Sequence, residues 1–397
     1  VKSFFSDMRA GLTRNVTLLG VVSGLTDISS EMLYPIVPVF LTSVLGAPMQ
    51  VVGVIEGLAE ATASFVKILG GRLSDKYGAR KPFVVAGYSL SAVSKPLLAL
   101  ATGWQFVLFS RFMDRVGKGL RTSARDAMIA GSVDKAHWGK AFGFHRAMDT
   151  LGAALGPLAA LALIHFLGAE KPDYRLIFLA AFVPALLGIG VLVYFVKEAA
   201  GPRRAPGAPG GAPMSADFKI FMVIYAVFSL GNSSGVFPIM KAKDMGFSLT
   251  HVILAYTGYN LVYAALASPA GWISDRLGKI RTMTFGLAVF AAVYLGFALA
   301  DAPWQIWLLF ALYGFYGAFS EGIAKAVVSH LSADENRASA MGYFQGMLGF
   351  LTFASSAAAG FLWDRVSPAA PFMAGSLCAL LAAAALLLWT RSRKFSF

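Results

Sequence analysis

The chain has 397 residues, of which 57% are hydrophobic and only 14% charged, and its formal net charge is +13. Soluble chains carry about 25% charged residues, so this composition, with a mean hydropathy of +0.65, excludes an ordinary soluble globular protein. Apolar runs of about 20 residues, enough to cross a hydrocarbon core roughly 30 Å thick, recur between short polar gaps; they are continuous and rich in Leu and Ala, which excludes the alternating strands of a membrane barrel.

Twelve spans are expected, at roughly 15–45, 48–70, 82–101, 104–131, 139–167, 174–197, 216–240, 249–273, 282–300, 304–331, 338–362 and 369–389. Ahead of them, residues 1–12 carry Lys2, Asp7 and Arg9. They lack the apolar core and small-residue cleavage site of a signal peptide and suit a short interfacial helix.

Span one carries Asp27 and Glu31 one turn apart, with Ser23, Ser30 and Tyr34 on the same side. A carboxyl in a low-dielectric cavity resists ionisation, while a nearby guanidinium works the other way. Such opposition can bring a proton site within reach of cytoplasmic pH, so Asp27 is the first candidate for proton coupling and Glu31 the second.

The gap between spans two and three reads Gly71-Arg-Leu-Ser-Asp75-Lys-Tyr-Gly78-Ala-Arg80-Lys81. Span four then carries Arg111, Asp114, Arg115, Lys118, Arg121, Arg125 and Asp126. At about 100° per residue these fall within an arc of about 140°, opposite a face of Leu, Phe, Val and Met. Each charge costs about 2.5–3.5 kcal/mol at the bilayer centre, so this face should line a central cavity or an interdomain surface. Arg111, Arg115, Lys118 and Arg125 form a basic wall that either attracts an anionic group of a solute or holds Asp27, Glu31 and Asp149 ionised until a proton arrives.

Span five places His145 and Asp149 at i, i+4, with Arg146 a step round the helix, and continues as Gly152-Ala-Ala-Leu-Gly156-Pro157. His145 can titrate near neutrality, although a lone membrane histidine commonly just hydrogen-bonds within a packed helix. The glycines and the proline let span five approach a neighbour closely and bend.

After span six, residues 198–215 are rich in Pro, Gly and Ala without periodicity, a flexible connector. It divides the chain into six spans at 1–197 and six at 216–397. In the second half Asn232, Tyr256, Asn260 and Gln345 stand among abundant Phe, a mild lining suited to an amphipathic organic solute, though core packing explains each one singly. Glu321 and Lys325 form an acid-first i, i+4 pair on span ten. The one cysteine, Cys378, can form no internal disulfide.

The positive charge is laid out by side. Of the 34 Lys and Arg, about twenty fall in the termini and the even-numbered gaps. The opposite side holds only Lys171, Arg175, Lys241, Lys243 and Arg365. The positive-inside rule then puts both termini in the cytoplasm, and no nucleic-acid partner is needed to explain the basicity.

The loop after span two returns two hundred residues later as Gly271-Trp-Ile-Ser-Asp275-Arg-Leu-Gly278-Lys-Ile-Arg281. At the same offset Arg125 meets Lys325, Ala124 meets Ala324, and Gly143-Phe144 corresponds to Gly342-Tyr343. Six plus six spans with both termini on one side is a parallel repeat about the membrane normal. This layout resembles the major facilitator superfamily of secondary transporters over essentially the whole chain. The first loop is similar to that family's glycine-x-x-x-Asp-Arg/Lys-x-Gly signature, with Ala79 where an Arg is usual. Arg115-x-x-Lys118-Gly119 resembles its Arg-x-x-Gln-Gly motif with Lys for Gln. Gly152 to Pro157 resembles the glycine-x-x-x-Gly-Pro motif of antiporter and efflux branches, with Ala159-Ala160 in place of the closing glycines.

The resemblance implies an all-α integral membrane protein of twelve transmembrane helices in two pseudo-symmetric six-helix bundles, working as a monomer in the cell (inner) membrane. It implies that Asp75 caps span eleven and that Arg80 pairs with Asp126, with Asp275 and Arg281 in mirror roles. Gly71, Gly78, Gly152, Gly156 and Pro157 join them as gating positions. The function expected is proton-coupled export of a small organic solute by antiport, through rocking of the two halves. A symporter importing an organic anion and a non-transporting sensor on the same scaffold are the alternatives. No metal site, nucleophile–base pair or phosphate loop is evident, so neither a cofactor nor enzyme activity is expected; the proton gradient supplies the energy. The embedded charges have a structural alternative too, as ion pairs that lock helices together.

Overall fold

The computed structural model describes residues 12–77, 79–134, 137–166, 173–198, 214–332 and 337–393. Among them there is no strand; the chain is twelve helical spans. Span one consists of helices Arg14–Leu33 and Val37–Ser43, span two is Met49–Tyr77, span three Lys81–Ala99, span four Trp104–Gly131, span five Trp138–Phe166 and span six Tyr174–Phe195. Span seven consists of Ala216–Gly231 and Val236–Asp244. Spans eight to twelve are Leu249–Leu277, Lys279–Leu299, Pro303–His330, Arg337–Arg365 and Ala370–Arg393. Eight of the twelve are long and apolar enough to cross a membrane by themselves; spans two, three, four and eight are long enough but more polar.

Spans one and seven break at matching places. Pro35 brings no N–H to the first break, where Tyr34 N still donates to Ser30 O at 3.1 Å and Ile36 N to Leu33 O at 3.0 Å. The second break, Asn232 to Gly235, is wider, and neighbours satisfy its backbone: Ser234 N donates to Ser356 Oγ at 3.0 Å and Ser355 Oγ donates to Asn232 O at 3.2 Å. Unwound backbone at membrane depth requires such partners. The turns that follow use glycines two hundred residues apart, Gly46 at φ 64 and Gly246 at φ 84, in the left-handed region where a side chain is disfavoured.

The chain divides into two compact units, Val1–Phe40 with Thr62–Gly207, and Leu41–Ala61 with Ala208–Phe397. In unit one, span one packs on spans five and six, and span three on spans four and six. Unit two repeats the scheme: span seven packs on eleven and twelve, and span nine on ten and twelve. The sequence repeat is therefore a repeat of packing.

Close crossings are built from glycine. A Cβ placed on Gly117 would lie 2.5 Å from Gly87 O and 2.9 Å from Ser91 N, and one on Gly87 would lie 2.6 Å from Gly117 O. Spans three and four thus meet backbone to backbone. Gly117→Val is expected to abolish folded protein, read as loss of the monodisperse peak in detergent size-exclusion chromatography; a native elution profile would contradict the crossing.

Candidate functional site

The polar face of span four is turned into unit one. Arg111, Asp114, Arg115 and Arg121 are all buried, while Phe106, Phe109 and Phe112 on the other face are exposed. These four avoid lipid, as their charge requires, but by burial rather than by lining an open cavity. Lys118, on the same stripe, stays exposed, and Arg125 is half-buried. The basic wall is therefore divided between charges embedded in the bundle and charges open to its surroundings.

The embedded charges meet counter-charges and hydroxyls. Lys95 of span three, itself buried, holds Asp114 at 2.8 Å. Arg121 donates to Ser91 Oγ and lies over the Tyr88 ring, 4.6 Å from its centroid. Ser91 Oγ donates to Asp114 O at 3.1 Å and Ser110 Oγ to Ser94 O at 2.7 Å, stitching spans three and four together. Beside them Ser30, Ser94, Lys95, Ser110, Arg111 and Asp114 border a cavity of about 20 Å³, room for a single water. Lys95 is the residue that the sequence reading missed. Its signal is the one charge inside span three, preceding Pro96.

A second group gathers where span one meets span five. A Cβ on Gly152 would lie 2.8 Å from Asp27 Cβ, and one on Gly156 2.8 Å from Glu31 Cβ. The two glycines thus press span five against the two candidate carboxylates. Asp27 experiences the charges of Asp149, Lys118, Arg121 and Glu31. On span five His145 Nδ1 stands 3.5 Å from Asp149 Oδ2, while Arg146 is exposed. Arg125 reaches back to span one, donating to Ser23 Oγ at 3.0 Å, and its Nη2 bonds Asp126 Oδ1 at 2.9 Å. Asp27, Glu31, Lys118, Arg121 and Asp149 therefore belong to one electrostatic group contributed by spans one, four and five.

At the foot of span four, Arg80 Nη1 donates to Ala127 O at 2.9 Å, next in sequence to Asp126. Gly71 faces Ser123, its added Cβ falling 3.1 Å from Ser123 Cβ, whereas Gly271 in the second copy faces open space. Gly278 shows what the motif's last glycine does: with φ 95 it turns the chain from span eight into span nine. Arg281 is exposed in the first turn that follows. Gly78 and the side chains of Asp75 and Asp275 lie outside the described residues.

Unit two holds a larger cavity of about 200 Å³. Tyr225, Tyr316 and Phe344 give it an aromatic wall, and Asn232, Glu321, Lys325 and Gln345 a polar one. Four residues expected to touch a solute are thus brought together from spans seven, ten and eleven. Asn232 Nδ2 lies 3.5 Å from Tyr316 Oη. Lys325 is exposed and makes no ion pair among the described residues. Tyr256 stacks on Tyr259, which stacks on Tyr313 at 5.1 Å, and Asn260 Nδ2 has no hydrogen-bond partner among the described residues. Those two are not among the cavity's walls. Tyr34 ends the first helix of span one, half-buried, and Pro157 lies inside span five.

Helices of this length and apolarity, in two units packed alike, define a multi-pass integral membrane protein. The model of the Major Facilitator Superfamily matches residues 19–229 and 220–396, and the chain belongs to that superfamily of transporters. It is 38% identical over 384 residues to an MFS-type transporter of Methanocaldococcus jannaschii, covering 95% of each chain. It is 26% identical over 380 residues to the multi-drug resistance efflux pump PmrA of Streptococcus pneumoniae, covering 89% of this chain and 90% of the pump. Among solved structures it resembles the nucleoside transporter NupG, with a TM-score of 0.78 at 14% identity over 94% of this chain and 99% of that one, a likeness of fold.

Proposed function

We propose that this transporter moves a small amphipathic organic solute out of the cell in exchange for protons, from a cell membrane in which both termini face the cytoplasm. The observation that carries the reading is Asp27, set on span one against Gly152 and linked electrostatically to both acids and bases of spans one, four and five. A carboxyl balanced between opposing charges changes protonation when one of them moves, which is what coupling requires. The cavity of unit two supplies the solute's surroundings: aromatic faces for an apolar body, and Asn232 and Gln345 for its polar edge. The likeness to a bacterial efflux pump supports export.

One observation favours the opposite direction. Lys325 brings to the cavity an ammonium with no ion-pair partner among the described residues, as a site for an organic anion would. The two readings separate in proteoliposomes carrying a pH gradient. Antiport fills vesicles whose interior is acid, and symport fills vesicles whose exterior is acid. Filling that ignores the gradient in either orientation would overturn proton coupling altogether.

A further inference from the structure

We propose that Asp364 is a gating latch that holds span two by its N-terminus and must release it for the face opposite the basic loops to open. This goes beyond the exchange of solute for protons, because it depends on neither ligand.

Asp364, in the last turn of span eleven, accepts two backbone hydrogen bonds from the first turn of span two. Its Oδ1 takes Met49 N at 3.2 Å and its Oδ2 takes Gln50 N at 2.7 Å. The first amides of a helix have no partner within the helix, and its dipole favours a negative charge there. A carboxylate bridging both meets the two needs together.

The two copies of the sequence repeat are capped differently. Two hundred residues on, span eight is capped locally, Ser248 Oγ accepting from His251 N at 3.3 Å. The corresponding residue before span two is Pro48, which has no side-chain acceptor. Span two therefore has its cap only while span eleven is beside it.

Below the cap the two helices touch along a smooth seam. An added Cβ on Gly360 would collide with Met49 O, one on Gly53 with Ser356 O, and one on Gly57 would lie 2.9 Å from Phe353 Cα. Glycines in contact with backbone interlock little, so the seam can part once its end is freed. Span two also crosses a boundary: residues up to Ala61 belong to unit two, and from Thr62 the same unbroken helix belongs to unit one. Parting span two from span eleven must therefore bend this helix or strip its first turns away. Asp364 and Gln50 are exposed, so water replaces the released bonds and the latch reverses cheaply.

The test uses the full chain in lipid nanodiscs with Cys378→Ala, carrying spin labels at Val44→Cys and Val366→Cys. Both valines are exposed, at 52% and 67%, and neither makes the cap. Pulsed electron resonance then gives the ratio of separated to adjacent labels. Asp364→Ala should raise that ratio about fivefold, the worth of a typical cap, and Asp364→Asn by less. Adding Pro48→Ser to Asp364→Ala supplies a local cap and distinguishes the roles. A latch predicts that thermal stability recovers while the ratio stays high. An unchanged ratio in Asp364→Ala, or its return to the starting value in the double variant, would overturn the proposal.

Discussion

Asp27→Asn is expected to end solute-dependent proton movement in pyranine-loaded proteoliposomes and to cut gradient-driven transport at least about tenfold, while solute counterflow without a gradient persists. The asymmetry follows from the chemistry. Asn keeps the shape of Asp and most of its hydrogen bonding but cannot titrate, so alternating access survives and its driving force is lost. Shape matters at this position because the Cβ of Asp27 faces Gly152, where an added Cβ would come within 2.8 Å. A bulkier replacement would part spans one and five and confuse coupling with folding. Glu31→Gln, one turn along against Gly156, should have the smaller effect. Full proton movement in Asp27→Asn would remove Asp27 from the mechanism.

The second large effect is on stability. Asp114→Ala is expected to cost about 3–5 kcal/mol, the penalty for leaving buried charge without its partner, and to lower the melting midpoint in detergent by roughly 10 °C. Asp114 bears on three cations, Lys95 at 2.8 Å and the nearby Arg111 and Arg115. Removing it takes that negative charge away from all three and breaks the Lys95 ion pair outright. Lys95→Met removes only one of them and leaves the two arginines to balance Asp114, so its loss should be less than half as large. The pair Lys95→Met with Asp114→Leu should remain less stable than the parent, since both arginines still lose the charge of Asp114. Equal losses for the two single variants would show that Lys95, rather than the arginines, carries the balance.

Much of this architecture is legible in the residues, and the reasons differ from place to place. Continuous apolar runs mark eight of the twelve spans, because a helix satisfies its own backbone in lipid. The inward turn of span four follows from charge spacing for Arg111, Arg115 and Arg121, which share an arc opposite exposed phenylalanines, whereas Lys118 on that arc is exposed. The i, i+4 spacing of His145 and Asp149 likewise gives their approach directly. Contacts between helices distant in sequence are harder to read. That Gly152 and Gly156 face Asp27 and Glu31 depends on the rotation of both spans, which a glycine motif does not encode. Lys95 is a single charge among the serines of span three, and its meaning appears only beside Asp114. The breaks in spans one and seven are coded by Pro35 and by the polar run from Asn232 to Gly235, yet each span taken whole is apolar enough to pass for one continuous helix. Asp364 could be read from sequence only as a loop charge, because its partners are backbone amides 314 and 315 residues away.

Every role given to Asp27 requires that the charged stripe of span four be reached by water rather than by acyl chains, and thiol accessibility in intact membranes tests this most directly. With Cys378→Ala as background, Lys118→Cys and Phe109→Cys place one thiol on each face of the helix. The hydrophilic reagent should modify the first, with modification reduced by a transported solute, and only a lipid-soluble reagent should modify the second. Modification of Phe109→Cys by the hydrophilic reagent, with Lys118→Cys silent, would contradict the inward stripe and the proton site built upon it.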